Sequence, residues 1–313
     1  MSIHEQRPRG APLEAADVAA HVRRAPLAAH VAAMRPRQWV KNLLVAAAPL
    51  ASGRILQVEM LTAVGVAFVA FCLAASSVYL VNDVRDVAED RAHPRKRHRP
   101  IAAGEVAPVT AVVMGVVLAG AALAVAAISG PPLMIVIALY LGISLAYSLA
   151  LKDQPVIDLA VVASGFVLRA MAGGVAAGLE LSQWFLLAAA FGSLFMVGGK
   201  RYSEVILAGE GNSASRRSLG SYSAGYLRFV WTLAATITVA TYSLWAFEMQ
   251  PVFARPVLVQ ASIAPFLLGV LRYAVDIEQG RAGEPEEIVL RDRVLQGIGV
   301  LWLVVFTIGV AHV

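Results

Sequence analysis

The chain has 313 residues, of which 58% are hydrophobic and only 15% charged, and its formal net charge is +5 at pH 7. Water-soluble domains carry about 25% charged residues, so the composition excludes an ordinary soluble enzyme and makes lipid the solvent. The basic runs adjoin long apolar stretches, so they face a membrane surface and not nucleic acid.

Residues 1–34 are polar and mixed in sign, without the apolar core of a signal peptide. They read as a cytoplasmic tail in which 13–33 is a candidate interfacial helix, and 35–313 reads as a single transmembrane domain. A helix needs roughly 20 apolar residues to cross the hydrocarbon core. Such stretches fall near 40–56, 61–81, 107–128, 132–151, 157–177, 182–199, 226–248, 257–275 and 294–312. They are rich in Ala, Leu, Val and Gly without period-2 alternation, which excludes a β-barrel. The fold expected is an all-α integral membrane protein of about nine transmembrane helices. The first span is the weakest, since Arg37 and Lys41 stand at its start and Pro49 interrupts it. The single cysteine, Cys72, falls inside a span and reads as a buried apolar filler.

Of the 26 Lys and Arg, Arg54 and Arg255 fall in loops of one side and Arg169 lies within a span. All the others share the tail and the loops 82–106, 152–156, 200–228 and 272–293. Positive charge collects on the cytoplasmic side of bacterial membranes. The long charged loops, and the chemistry they carry, are therefore expected on the cytoplasmic face of the inner membrane.

The first span begins R35-P-R-Q-W-V-K-N42. Arg37 and Lys41 are four apart and share a helical face, so both can meet one phosphate, and Trp39 reads as an interfacial anchor. The strongest local signal closes the second span, N82-D-V-R-D-V-A-E-D90. Spacings of three and four put Asp83, Asp86 and Asp90 on one helical face, with Asn82 beside them. Like charges so placed repel unless a cation neutralises them, and oxygen-only donors with room for water suit Mg²⁺. A solvated acidic helix end balanced by arginines is the plain alternative.

The following run, H93-P-R-K-R-H-R-P-I, holds Arg95, Lys96, Arg97 and Arg99. It fits an orientation signal touching anionic lipid and equally a phosphate clamp facing the acidic cluster. Lys152, Asp153 and Asp158 stand at the turn after the fourth span. Arg169 is three helical turns deeper than Asp158 on nearly the same face. A charge at that depth normally faces a cavity or a partner, and a cavity-lining role is expected. After the sixth span comes G198-G-K-R-Y-S-E204, which packs Lys200, Arg201, Tyr202 and Glu204 into about one turn. The loop 276–293 mixes signs and reads as a candidate cap.

The chain holds no Walker loop, Rossmann glycine fingerprint, paired-histidine metal motif or nucleophile triad. A transporter is disfavoured, because the charges concentrate at one face and no inverted repeat is visible. What remains is chemistry in which a metal and cations do most of the work.

Over nearly its whole length the chain resembles the UbiA superfamily of intramembrane prenyltransferases. Their first acidic motif, N-D-x-x-D-x-x-x-D, is matched by Asn82, Asp83, Asp86 and Asp90. The family's second acidic motif is absent, and the cation-rich G-K-R-Y-S-E takes its place. In this the chain is similar to the decaprenyl-phosphate phosphoribosyltransferase branch. R-P-R-Q-W-V-K-N, Y-L-V-N-D-V-R-D, K-R-H-R-P-I-A-A-G, L-R-A-M-A-G-G, F-M-V-G-G-K-R-Y and A-G-E-P-E carry that likeness.

The resemblance implies nine helices around a cytoplasm-facing cavity. It implies Mg²⁺ on Asp83, Asp86 and Asp90, with Asn82 orienting the site. The donor implied is phosphoribosyl pyrophosphate (PRPP), and the acceptor is a polyprenyl (decaprenyl) phosphate for arabinan cell-wall synthesis. Substrate-binding residues would be Arg37, Lys41, Arg95, Lys96, Arg97, Lys152, Asp158, Arg169, Lys200, Arg201, Tyr202 and Glu204. PRPP and the lipid present more phosphates than one prenyl diphosphate, and more phosphates call for more cations. The alternative is a prenyltransferase moving an isoprenoid from its diphosphate to an aromatic acceptor. A homo-oligomer is compatible with the sequence.

Overall fold

The computed structural model describes residues 26–94, 96–209, 220–283, 288 and 291–311, and among these it is helical with no strand. The candidate interfacial helix at 13–33 lies within the described residues only from Pro26 onward, and Arg95 lies outside them. Helix α1 (Pro26–Ala33) buries Ala29 and Ala33 in a small core with Leu80 and Ala111. A 3₁₀ stretch, Pro36–Ala46, then runs into a short α2 (Ala47–Ala51). The expected first span is thus not one α-helix. Pro49 has no N–H to donate, and the polar side chains of the 3₁₀ stretch bond sideways to other helices.

The rest is a bundle of α3 (Val58–Arg85), a one-turn α4 (Val87–Ala92), α5 (Pro108–Ala127), α6 (Pro131–Ala146), α7 (Ile157–Ala176) and α8 (Gln183–Gly209). It is completed by α9 (Ala224–Glu248), α10 (Pro256–Ala261), α11 (Ile263–Glu278) and α12 (Arg293–Val310). Proline opens α5, α6 and α10, where a missing N–H costs nothing. Ser223 and Asp292 cap α9 and α12, their side-chain oxygens accepting from Tyr226 N and from Val294 N and Leu295 N.

Seven helices among the described residues are long and apolar enough to cross a membrane, α10 and α11 together making one of them. Of the nine spans expected, the first is broken into the 3₁₀ stretch and α2, and the sixth is the apolar part of α8. That helix runs on through Lys200, Arg201 and Glu204. Apolar side chains such as Val113, Val116 and Val300 are exposed around the bundle, as an integral membrane protein in contact with lipid tails requires.

Helix α7 joins the two halves, touching α3, α6, α8 and the 3₁₀ stretch. One core gathers Phe71, Leu133, Ile137 and Leu168, and another gathers Tyr202, Trp231, Tyr273 and Ile277. Gly173 permits the closest approach, since a Cβ there would stand 1.7 Å from the Val45 carbonyl oxygen. Alternation of helix direction brings the ends of α3, α6, α8 and α11 and the starts of α5, α7, α9 and α12 to one end of the bundle, the charged end.

Candidate active site

Helix α3 ends at Arg85, and Asp86 (φ −91°, ψ 12°) forms the joint with α4. Backbone bonds still bridge the joint, Asp86 N to Asn82 O at 2.9 Å and Asp90 N to Asp86 O at 2.8 Å. The three aspartates therefore stay close across the joint, Asp83 and Asp90 sharing the Arg99 guanidinium. Asp83 and Asp90 are buried, while the Asp86 side chain is 33% exposed.

Each carboxylate meets a cation from a different segment. Asp83 Oδ1 pairs with Arg35 and lies 3.3 Å from Arg99 Nη1, which also stands 2.7 Å from Asp90 Oδ2. Asp86 Oδ1 pairs with Lys152 Nζ at 2.9 Å. Asn82 Oδ1 accepts from the Ser148 hydroxyl in the π turn (Tyr147–Leu151) that continues α6. Arg85 donates to the Leu149 carbonyl at 2.7 Å, tying the motif to the same turn.

A second polar cluster lies across that turn. Asp158 is fully buried and accepts from Arg201 Nε at 3.2 Å and from the Tyr222 hydroxyl, while Arg201 Nη1 holds Glu204 Oε2 at 2.8 Å. The Tyr222 oxygen also accepts the N–H of Val156. Burial, then the bond to Asp158, pushes the Tyr222 hydroxyl well above its ordinary pKa. The connection from α6 to α7 therefore spans both clusters, with Lys152 on the first and Val156 on the second.

Among the described residues, the two non-glycine residues with positive φ are Arg35 (55°) and Val156 (69°). For a β-branched residue this is a rare and strained conformation. Such strain persists only where surroundings fix it, and it gathers at functional sites. Here each strained residue is a link to one of the two clusters.

Asn82, Asp83, Asp86, Asp90 and Lys152 are brought together as the sequence suggests. Arg35 and Arg99 join them, although neither stands among the expected binding residues. The signal for Arg99 was its place in the basic run. For Arg35 the sequence carried no signal of its left-handed backbone, since a following proline favours an extended one. Arg37 and Arg97 are exposed, and Lys41, Lys96 and Lys200 are half-buried near the same end. Three further residues are buried. Arg169 is 6% exposed and ringed by Tyr140, Phe71 and Phe166. Arg201 is buried against Asp158, and its charge is already matched there. Tyr202 is buried too, its hydroxyl held between Glu278 and Arg228.

Among the described residues no three His, Cys, Asp or Glu side chains converge as a preformed metal site. Mg²⁺ keeps several waters and uses one or two carboxylates together with substrate phosphates. Asp83 and Asp90 flank a single guanidinium nitrogen and so stand close enough to share one cation. That donor set fits a hard divalent ion held jointly with a diphosphate. A pocket of about 210 Å³ beside Arg54, Glu180 and Trp245 lies at the opposite end of the bundle. Charge, not cavity size, locates the site.

Comparison with known proteins identifies the family. The UbiA prenyltransferase family matches residues 43–286. A decaprenyl-phosphate phosphoribosyltransferase of Mycobacterium tuberculosis is 54% identical over 285 residues, covering 90% of this chain and 93% of that protein. One from Corynebacterium glutamicum is 50% identical, covering 87% and 84%. Among solved structures, a UbiA homolog from Archaeoglobus fulgidus bound to DMAPP and Mg²⁺ superposes with a TM-score of 0.69 at 18% identity, covering 89% of this chain and 98% of that one. An acidic motif at the end of a membrane helix, the helical bundle around it and relatives along almost the whole sequence lead to one assignment: the chain belongs to the UbiA prenyltransferase family.

Proposed function

We propose that the protein transfers the 5-phosphoribosyl group of PRPP to a polyprenyl phosphate, decaprenyl phosphate in the first instance, and releases pyrophosphate. The reaction takes place at the cytoplasmic face of a bacterial inner membrane and serves arabinan cell-wall synthesis. The observation that carries this reading is that Asp83, Asp86 and Asp90 each already have a protein cation, from Arg35, Arg99 and Lys152. A site for one prenyl diphosphate needs carboxylates and metal. A site for PRPP and a lipid phosphate needs further cations, and Arg37, Lys41 and Lys200 stand near the same end. The names of the mycobacterial and corynebacterial relatives support the same choice.

Asp83, Asp86 and Asp90 would hold a divalent ion, and Asn82, fixed by Ser148, would orient that face of the site. Mg²⁺ bound there supplies charge neutralisation as the anomeric carbon–oxygen bond breaks. Arg35, Arg99 and Lys152, which pair with these carboxylates, would offer their charge to phosphate oxygens of the bound substrates. Lys200 on α8 and Arg37 and Lys41 on the 3₁₀ stretch supply further cations for the 5-phosphate and the acceptor phosphate. The acceptor is already anionic, so no strong general base is needed, and positioning of the two substrates does most of the work. In-line attack inverts the anomeric centre and gives a β-linked product. The prenyl tail lies between helices in the lipid.

Donor choice tests the reading. Purified protein in nanodiscs with Mg²⁺ should be stabilised thermally by PRPP and not by dimethylallyl or geranyl diphosphate. Stabilisation by the prenyl diphosphates alone would favour isoprenoid transfer instead.

A further inference from the structure

Arg169 carries a charge in the middle of α7 and among the described residues forms no ion pair. Its guanidinium donates to Asn42 Oδ1 at 2.8 Å, to the Gly165 carbonyl at 2.6 Å and to the Tyr140 hydroxyl at 3.1 Å. The centroids of the Tyr140, Phe71 and Phe166 rings lie 4.8, 5.3 and 5.8 Å from its central carbon. A buried cation without a counter-ion is expensive, and the rings and neutral acceptors offset part of that cost. Asn42 is the one of its hydrogen-bond acceptors that lies in the 3₁₀ stretch.

That stretch cannot hold itself. Its 3₁₀ geometry is weak over eleven residues, and side bonds fix it instead. Trp39 Nε1 donates to Ser76 Oγ at 3.1 Å, and Ser76 Oγ donates to the Met34 carbonyl at 3.0 Å. Asn42 Nδ2 donates to Cys72 Sγ at 3.3 Å, so this one amide links α7, through Arg169, to α3. At the head of the stretch Arg35, in its left-handed conformation, reaches Asp83.

We infer that Arg169 is a positioning residue: through Asn42 it latches the Pro36–Ala46 stretch against α3 and α7 and thereby sets where Arg35 meets Asp83. The consequence for donor binding rests on the phosphoribosyl reading above, whereas the latch does not. A free charge facing a cavity would act on the substrate directly. A latched one acts through the backbone that carries Arg35, and its loss is felt at Asp83.

Cys72 is a built-in reporter. It is the only cysteine, it is 5% exposed, and Asn42 covers its sulfur. The rate of N-ethylmaleimide labelling of the full chain in nanodiscs reads how often the stretch lifts away. Arg169→Met and Asn42→Leu should each speed labelling by about tenfold or more. Arg169→Lys should restore much of the protection, and Arg35→Ala should leave it unchanged. Folded Arg169→Met and Asn42→Leu proteins that label at the wild-type rate would overturn the latch. Should Arg169→Met fail to fold, Asn42→Leu with Asn42→Asp, which keeps the acceptor, carries the same comparison.

A second readout ties the latch to the site. Arg169→Met should raise the KM for PRPP by about tenfold with a smaller change in kcat, and should add nothing in an Arg35→Ala background. Effects that multiply would contradict the route through Arg35. Labelling needs no substrate, so an intact latch with no PRPP turnover would refute the functional reading and leave the latch standing.

Discussion

Arg99 Nη1 lies 2.7 Å from Asp90 Oδ2, nine residues back in the chain, and the same nitrogen reaches Asp83 at 3.3 Å. One guanidinium thus holds together two buried carboxylates on opposite sides of a helix joint. Arg99→Gln leaves Asp90 buried without its cation, while Asp83 keeps Arg35. Breaking a fully buried pair costs about 3–5 kcal/mol. The Arg99 side chain is 30% exposed, so a loss of about 1–2 kcal/mol is expected. Thermal unfolding in nanodiscs should show the lower midpoint, and adding Asp90→Asn should recover part of it.

Asp86 is the carboxylate to change without harming the fold. Its side chain is 33% exposed and pairs with Lys152, a pair worth about 0–1 kcal/mol. Asp86→Asn should therefore unfold within a few degrees of the wild type while losing about a hundredfold or more in turnover. Parallel melts and turnover assays separate the two effects. A variant that keeps its turnover would remove Asp86 from the metal site.

Chelation should separate function from stability in the same way. Because Arg35, Arg99 and Lys152 already neutralise the motif, removing divalent metal with EDTA should abolish turnover and leave the melting midpoint nearly unchanged. A structural metal would instead bind its free energy into the fold, and the midpoint would drop.

The second cluster predicts an alkaline limit. Tyr222 holds its proton more tightly in the folded chain than in the unfolded one, through burial first and the Asp158 bond second. Its contribution is constant below about pH 10, the ordinary tyrosine value. Above that the unfolded chain releases the proton first and stability falls as pH rises. Tyr222→Phe should lower the midpoint at neutral pH, since Val156 N loses its acceptor, yet flatten the fall between about pH 10 and 11.

Much of this was legible in the sequence, and the parts that were not have physical reasons. Hydrophobic length gave the membrane bundle, because a span is a matter of apolar residues in a row. The acidic motif was legible because local spacing brings Asp83, Asp86 and Asp90 together before any tertiary contact forms. Which cations meet them was not, because Arg35 reaches Asp83 across 48 residues and Lys152 reaches Asp86 across 66. The partners of Arg169 were not legible for the same reason: depth in a span tells that a charge needs partners, and not that Asn42 and aromatic rings supply them. The broken first span was foreshadowed by Pro49 and the polar run before it, but its sideways bonding to α3 and α7 follows only from the packed bundle.

The central claim is the transfer of phosphoribose to lipid, and one assay meets it directly. Purified protein in nanodiscs would be given Mg²⁺, decaprenyl phosphate and PRPP labelled in the ribose, with Asp83→Asn as control. Label passing into the lipid fraction, and lost in the variant, is the predicted result. Absence of labelled lipid, with turnover of a prenyl diphosphate onto an aromatic acceptor by the same preparation, would contradict the account.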